Sequence, residues 1–394
     1  MLLGGIYYLK PAIEAAHKLG LYVITADYLP NNVAHQWSDE FVNVSIIDKE
    51  AVLKVAREKE IDGILSYAVD PGVVTAAYVA EQMGLTFPCS YEMTTMMQNK
   101  SSFRQFLQRH NFNCPKAEGF TSVDAAINEV DEFNWPVIVK PVDSAGSKGV
   151  KRVDNKEDLA AAIEGALSES HCGEFIVEEF LEKEGYSCGS EVFVVDGKIA
   201  CNSIYDQYFD NEAVNPYTPS AECWPSLLPQ AYKDDMEQQL QRFFDLIHVG
   251  TGLFNVEFRL CTNGKVYLME VSPRAGGNRL AEVIKMGTGV DVITASVKSA
   301  MGMKVEIARE CWSNAWAGIV LHSVRDGVFA GVTIDDSMRS NVKELALYKN
   351  EGDRVSAFGG ANAAVGSVFA QFENRYALDS CLTHQDEWLK IDVR

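Results

Sequence analysis

Apolar residues recur along the start of the chain with the periods of both strands and helices. The predicted strands are 21–27 and 61–68, and the predicted helices are 11–19, 49–59 and 72–83. Strands that alternate with helices of this length are typical of βαβ units. Residues 1–95 therefore predict an α/β domain built around a parallel sheet.

Beyond residue 95 the pattern becomes richer in strands. A helix that carries Lys100 leads to a strand ending at Lys140, and Asp196 and Gly197 turn a later hairpin. Residues 203–229 are rich in aromatic residues and proline and show little periodicity, which is typical of a lid or of an excursion packed by its own aromatics. Further strands are predicted at 175–181, 316–324, 327–335, 344–349 and 363–372, and further helices at 156–168, 232–247 and 289–301.

The most informative stretch, residues 254–278, contains two apolar and acidic runs joined by Asn263 and Gly264. An Asn-Gly dipeptide between alternating runs predicts a hairpin with a two-residue type I′ turn. Residues whose numbers add to the same total then face each other, starting with Thr262 opposite Lys265. The turn therefore fixes the register of the whole hairpin.

This register places Glu257 opposite Glu270, and Asn255 opposite Ser272 on the same sheet face. Two carboxylates whose Cβ atoms are roughly 5 Å apart repel each other unless a cation lies between them. Mg²⁺ binds carboxylate oxygens and keeps other positions for water and phosphates. The face is therefore a candidate metal site. The alternatives are a solvent-facing hairpin with two uncompensated glutamates, or glutamates that form ordinary ion pairs with Arg259 and Arg274.

Two glycine-containing segments are weaker candidates for ligand binding. The backbone N–H groups of residues 143–150 would close over an anion, although a polar hairpin turn fits this loop as well. Gly4 and Gly5, followed by Asp27 at a strand end, suggest dinucleotide binding in a Rossmann-like domain. Residues 6–8, however, lack the further glycines of the G-x-G-x-x-G pattern. We expect instead a tight turn that lines a small-ligand crevice.

Composition narrows the classes of function. The chain has 394 residues and a formal net charge of −20, which disfavours non-specific binding to nucleic acid or to anionic membranes. Its nine cysteines are scattered without CxxC spacing, which argues against a zinc site and favours reduced thiols. No segment resembles a signal peptide or a membrane span. We expect a cytoplasmic protein without nucleic-acid or membrane partners.

The order of these features resembles the ATP-grasp superfamily between Lys100 and about Met301. A lysine on a helix, a lysine at a strand end, a small glycine loop, a Glu-Glu-Phe-Leu run, an isolated glutamate and two glutamates on a hairpin follow one another. The likeness is greatest to carboxylate–amine ligases and to the carbamoyl-phosphate-synthase and phosphoribosylglycinamide-synthetase branch. It implies a mixed α/β and α+β fold with a Rossmann-like domain (1–95), an ATP-grasp domain of two lobes that meet near residue 180 (96–302) and a small β-rich domain (303–394).

The resemblance also implies which residues bind ATP. These are Lys100 and Lys140 for the phosphates, Gly146, Ser147, Gly149 and Val150 in the phosphate loop, Glu178, Glu179, Phe180 and Leu181 in the adenine-binding hinge, and Glu191 for the ribose.

The metal ligands implied by the resemblance agree with the hairpin register. Glu257 and Glu270 look like the Mg²⁺ ligands, and Mn²⁺ is an alternative metal. Ser272 replaces the asparagine of the family's Glu-x-Asn-x-Arg motif, and a serine is a shorter and weaker ligand. We expect Asn255, or a water molecule, to supply the missing oxygen.

The implied function is an ATP- and Mg²⁺-dependent ligase that activates a carboxylate as an acyl phosphate and joins it to an amine. Arg274, which matches the motif's arginine, and Lys140 are the expected catalytic residues, and Gly276, Gly277 and Asn278 are expected to shape the acceptor pocket. One alternative is an enzyme of the phosphoribosylglycinamide-synthetase or carbamoyl-phosphate-synthase type that uses bicarbonate, formate or a sugar amine. Another is a non-catalytic ATP-binding module. The oligomeric state is left open, a homodimer included.

Overall fold

The computed structural model describes residues 1–144 and 148–394. The predicted phosphate-loop residues Gly146 and Ser147 lie outside the described residues. In the part of the chain that is described, no helix combines the length and the apolar character needed to cross a membrane.

The N-terminal region has the parallel sheet that its pattern predicts. Strand β1 pairs in parallel with β2, and β2 with β3. Its elements are β1 (Leu2–Leu3), α1 (Lys10–Lys18), β2 (Ile24–Asp27), β3 (Glu40–Asn43), α2 (Lys49–Glu58), α3 (Asp70–Met83) and α4 (Tyr91–Gln98).

The strand predicted at 61–68 is reduced to one parallel bridge between Leu65 and Leu2. Gly63 explains the difference, because a Cβ there would lie 2.6 Å from the carbonyl oxygen of Ala300. A glycine inside a strand pattern often marks such a close approach of another backbone segment, and it weakens the strand. The backbone at Gly63 therefore packs against Ala300, and residues 61–68 do not form a longer strand.

The next region is a small lobe with an antiparallel sheet in the order β4-β7-β5-β6. Helix α7 packs on this sheet through Leu159, Ala162 and Ile163, which are buried with Val137 and Val177. The elements of the lobe are α5 (Lys100–Arg109), β4 (Ala117–Phe120), α6 (Val123–Glu129), β5 (Val137–Pro141), β6 (Lys151–Val153), α7 (Leu159–Ser168) and β7 (Phe175–Glu179).

An eight-stranded sheet in the order β12-β11-β8-β9-β10-β13-β17-β15 forms the centre of the molecule, and β16-β14-β18 form a further sheet. The eight-stranded sheet contains strands from both sides of the predicted boundary at 302/303, so the division into three domains stays a prediction. The elements are β8 (Ser187–Val195), β9 (Lys198–Phe209), β10 (Pro219–Trp224), α8 (Gln230–Ile247), β11 (Gly252–Leu260), β12 (Val266–Ser272), α9 (Leu280–Thr288), α10 (Val292–Ala300), β13 (Ala315–Leu321), β14 (Gly327–Ile334), β15 (Val342–Leu347), β16 (Arg354–Val355), β17 (Gly366–Phe372), α11 (Arg375–Thr383), α12 (Gln385–Trp388) and β18 (Leu389–Val393).

The prediction of a lid or excursion at 203–229 is wrong. Strand β9 runs on to Phe209 and β10 follows, so nearly half of this segment, residues 203–209 and 219–224, lies inside the central sheet. Both faces of β9 are buried and both carry polar groups, since neighbouring residues such as Asp206 and Gln207 point to opposite faces. Burial on both faces removes the alternation of apolar and polar residues that identifies a strand.

The hairpin of β11 and β12 has the predicted pairing at the glutamates, but a different turn. Near the turn, Leu260 pairs with Val266, and Cys261 N–H donates to the Lys265 carbonyl at 3.0 Å. The loop therefore has three residues, of which only Gly264 has a positive φ, at 73°. A three-residue loop of this kind is a type I turn followed by a left-handed glycine.

A bulge in β12 restores the predicted pairing further from the turn. The register shifts between Glu257 and Phe258, where Met269 is the extra residue. Glu257 then pairs with Glu270, and Asn255 pairs with Ser272, as predicted. The loop is one residue longer than predicted and the bulge adds one residue to β12, so the two changes cancel in the register at the glutamates.

Candidate active site

The carboxylates of Glu257 and Glu270 lie on neighbouring strands of the central sheet. The side chain of Glu257 is exposed to solvent. The protein atoms around it still remove part of its hydration, and this effect and the nearby Glu270 raise the pKa of Glu257 to about 7. A divalent cation would relieve the repulsion between the two carboxylates. Among the described residues no group of three or more His, Cys, Asp and Glu side chains could hold a metal. Water or phosphate oxygens would have to complete the coordination.

The two weaker metal-ligand candidates flank this pair. Ser272 is buried, and its hydroxyl accepts a hydrogen bond from Gln98 Nε2 at 2.9 Å. Asn255 Nδ2 donates to Glu191 Oε1 at 2.7 Å and to Tyr205 Oη at 3.2 Å. These bonds occupy the amide nitrogen of Asn255 and leave its oxygen for other contacts. A metal-binding role for either residue stays a prediction.

Lys140 and Glu178 form a buried ion pair at the ends of β5 and β7. Burial, followed by the positive charges of Arg104 and Lys100, lowers the pKa of Lys140. The charge of Glu270 opposes this effect. The second oxygen of Glu178 accepts from Arg104 Nε at 2.8 Å. Lys100 Nζ donates to the Ser144 carbonyl at 2.6 Å. Two predicted phosphate-binding lysines are thus tied to the small lobe and to the start of the phosphate loop.

The predicted hinge connects the small lobe to the central sheet. Glu179 N–H donates to the Lys116 carbonyl at 2.9 Å, and Phe180 N–H donates to the Pro136 carbonyl at 3.0 Å. Within the described part of the chain, the N–H of Leu181 has no such partner. Leu181 is therefore the hinge residue best placed to donate to a purine base. Adenine binding by the hinge stays a prediction.

The described part of the phosphate loop is fixed at both ends. The Asp143 carboxylate accepts from the backbone N–H groups of His171 and Cys172 at 3.0 and 2.8 Å. Gly149 has a φ of +66°, and a Cβ there would lie 3.1 Å from Pro141 Cδ. A side chain at Gly149 would therefore strain the backbone and crowd β5. Val150, the last residue of the loop, is half-buried.

Arg274 links the hairpin to the N-terminal region. Its guanidinium is buried, and Nε donates to Asp70 Oδ1 at 2.5 Å. Asp70 is the first residue of α3, so it holds the arginine from the carboxyl-end side of the parallel sheet. The local sequence pattern around Asp70 does not indicate this partner, which lies 204 residues away along the chain.

The predicted ribose ligand and the acceptor-pocket residues lie beside one another. Glu191 is fully buried, and its Oε1 accepts from Gly276 N–H at 2.9 Å. Gly277 is half-buried, and Asn278 Nδ2 donates to Glu222 Oε1 at 2.7 Å. Glu191 therefore lies with Gly276 beside Asn255, and its ribose-binding role stays a prediction.

The comparison with protein families matches residues 99–308, slightly more than half of the chain, to the model of the carbamoyl-phosphate synthase L chain, ATP binding domain. The carbamoyl phosphate synthase large chain of Clostridium beijerinckii is 22% identical over 300 residues, which are 75% of this chain but only 27% of that protein. The formate-dependent phosphoribosylglycinamide formyltransferase of Synechococcus sp. is 26% identical over 375 residues, 94% of this chain and 93% of that protein.

Solved structures extend the similarity to the whole chain. L-amino acid ligase from Bacillus licheniformis superposes with a TM-score of 0.82 at 18% identity, covering 100% of this chain and 98% of that chain. The similarity therefore includes the N-terminal parallel sheet and the C-terminal strands as well as the region matched by the family model.

Proposed function

Because the chain belongs to the family of the carbamoyl-phosphate synthase L chain ATP-binding domain and has the ATP-grasp fold, we propose that it is a carboxylate–amine ligase. It would act on a small-molecule carboxylate and a small-molecule amine in the cytoplasm, with ATP and Mg²⁺, and would bind neither nucleic acid nor membranes. ADP and phosphate would be released.

The first chemical step brings two anions together. A carboxylate oxygen attacks the γ-phosphorus of ATP, the bond to the β-phosphate oxygen breaks, and ADP leaves. Lys100, Lys140 and Arg274 supply positive charge to the phosphates, which matters in a chain of net charge −20. Mg²⁺ held by Glu257 and Glu270, with Mn²⁺ as an alternative, would neutralise further phosphate charge.

The second step forms the amide. The substrate amine, after losing a proton, attacks the acyl carbon and the carbon–oxygen bond to phosphate breaks. No side chain of the protein needs to become covalently attached. Gly276, Gly277 and Asn278 lie beside the metal-facing hairpin and are proposed to shape the amine pocket.

The pairing of Glu257 with Glu270 is the observation that supports this proposal most strongly. A sheet that places two carboxylates opposite each other, one of them exposed to solvent, suits a metal–phosphate complex. The two arginines make their ion pair and hydrogen bond elsewhere, Arg274 with Asp70 and Arg259 Nη1 with the Leu181 carbonyl, and their charges only lower the pKa of Glu257 from a distance.

Nucleotide product analysis tests the proposed function. The protein is incubated with MgATP and pooled carboxylic acids and amines, and ADP is resolved from AMP. We expect ADP that depends on one acid pool, with further release when the matching amine pool is added. AMP as the product would contradict acyl-phosphate chemistry. Tight MgATP binding without product in any pool would favour a non-catalytic module.

Formate is a second candidate for the acid. The Synechococcus relative, a formate-dependent enzyme by name, aligns over 94% of this chain. Formate alone should then support ADP release, whereas larger acids should not. This candidate keeps the activation step and changes only the acid and the acceptor.

A further inference from the structure

The polar face of the central sheet extends beyond the glutamate pair. Glu191 on β8 pairs in register with Asn255 on one side and with Ser203 on the other. Glu222 on β10 pairs in register with Gln207. Because side chains alternate along each strand, all of these residues share the face that carries Glu257. A second acidic region therefore adjoins the candidate metal site.

Two carboxylate oxygens in this region lack partners. Glu191 and Glu222 are only 0% and 2% exposed, and neither Oε2 atom has a hydrogen-bond partner among the described residues. Buried carboxylate oxygens are normally satisfied by donors, because their desolvation is otherwise uncompensated. Among the described residues, the two Oε2 atoms lack a hydrogen-bond donor. A positively charged donor would supply the missing hydrogen bonds and balance the negative charge of the carboxylates.

The electrostatic setting of Glu222 also favours a cation. Burial raises its pKa to about 8, the hydrogen bond from Asn278 opposes the rise, and the charges of Glu191 and Glu257 add to it. Arg279 does not serve as the missing cation, because Glu282 and Glu344 engage it at 2.7 and 2.5 Å.

Asn278 provides a nitrogen donor at this place in the structure. Its Nδ2 donates to Glu222 Oε1 at 2.7 Å. The backbone there is strained, since Asn278 and Arg279 both have positive φ angles, of 51° and 64°. Strain of this kind persists where the surroundings hold the backbone in place, often at ligand sites. The Asn278 amide therefore occupies a position that suits the N–H groups of a ligand.

We propose that Glu222, assisted by Glu191, binds the ammonium group of the amine substrate. The assignment rests on the proposed ligase function and names the recognition element of its second substrate, and it replaces the ribose-binding role predicted for Glu191. The ligand class is a small molecule with a protonated primary amine. Its ammonium group would displace the Asn278 amide, donate to Glu222 and face the free oxygen of Glu191. Because the charge of Glu257 acts on Glu222, the amine would lie near the candidate metal site.

The test compares a charged acceptor with a neutral one. Hydroxylamine is largely uncharged at neutral pH and traps acyl phosphates as hydroxamates. With the acid identified by product analysis, ADP release is measured with a cationic primary amine and with hydroxylamine, both below saturation. In Glu222→Gln the ratio of the amine-dependent to the hydroxylamine-dependent rate should fall at least tenfold. The matched control, Glu237→Gln, removes a carboxylate bonded to Asn202 and Arg309 and should keep the wild-type ratio.

Each outcome has a distinct meaning. A wild-type ratio in Glu222→Gln, with hydroxamate still formed, would overturn the ammonium site while leaving the ligase function intact. Absence of hydroxamate from the wild-type protein with every acid would overturn the proposed function, and the ammonium site with it. Asn278→Ala gives an independent measurement if Glu222→Gln does not fold. Removing the competing amide should lower the KM for the amine, and an unchanged or raised KM would contradict the site.

Discussion

Glu178 compensates two buried positive charges at once. Its carboxylate contacts Lys140 and Arg104, and all three side chains are almost fully buried. A buried cation without a counter-charge loses its proton or destabilises the fold. The side chain of Glu178 therefore supplies the counter-charge for Lys140 and Arg104, a role that its place in the Glu-Glu-Phe-Leu run did not reveal.

Replacing Glu178 with Gln should destabilise the protein by about 3–5 kcal/mol, because two buried cations lose their anion. The KM for MgATP should rise as Lys140 loses charge. Urea denaturation measures the first effect and steady-state kinetics the second. Glu179→Gln is the control. The Glu179 side chain is half-buried and one of its oxygens accepts from Asn134, so this substitution should change the free energy of unfolding by less than about 0.5 kcal/mol. Equal effects of the two substitutions would contradict this role of Glu178.

Glu270→Gln should raise the Mg²⁺ concentration needed for half-maximal ATP turnover at least tenfold. The substitution keeps the shape of the side chain and removes one of the two facing charges. A Mg²⁺ titration of ADP release measures the change, with the exposed Glu157→Gln of the small lobe as control. A wild-type Mg²⁺ requirement in Glu270→Gln would show that the pair is not the metal site.

At the scale of elements, the sequence predicted most of the helices and strands and the facing glutamates, but not the local route between them. The Asn-Gly dipeptide indicated the hairpin correctly. The three-residue loop and the bulge at Met269 left no local signal, and their effects on the register offset each other. The part of β9 after residue 202 was missed for a different reason, because polar residues on both of its faces removed the alternating pattern.

Gly189 on β8 shows how tightly the polar face is packed. It pairs in register with Tyr205 and with Glu257, and a Cβ there would lie 2.3 Å from Tyr205 Oη. Gly189→Ala should therefore displace the tyrosine and destabilise the protein by about 1–3 kcal/mol. Gly165→Ala in α7, where no atom lies within 4 Å of the new methyl group, should instead stabilise it by about 0.5–1 kcal/mol. Urea denaturation of both variants tests this contrast, which would fail if both changed stability in the same direction.

At the scale of the whole molecule, the site is assembled from segments far apart in the chain. Asp70 of the N-terminal region holds Arg274, and Gln98 of α4 contacts Ser272. The sequence resemblance predicts phosphate-binding and metal-binding roles from the order of residues along the chain, and these roles stay predictions. It did not indicate Asp70, Arg104 or Glu222, because their roles depend on contacts between distant segments.

The buried acids make the stability of the ligand-free protein depend on pH. Folded Glu222 keeps its proton up to about pH 8, whereas its ordinary pKa is 4.5, so the folded state binds more protons between these values. Stability should therefore fall as the pH rises from 6 to 8. Glu222→Gln cannot ionise and should lose about 2 kcal/mol less over this range, as measured by urea denaturation at both pH values. An equal loss in both proteins would contradict the burial of a protonated Glu222.

The transfer of oxygen from the acid to phosphate tests the central claim most directly. The pooled carboxylic acids are labelled with ¹⁸O in the carboxylate and incubated with MgATP, the amine pool and the protein, and the released phosphate is examined by mass spectrometry. Activation as an acyl phosphate predicts one ¹⁸O atom in the phosphate for each amide formed. Label in AMP, or amide formed with unlabelled phosphate, would contradict the account.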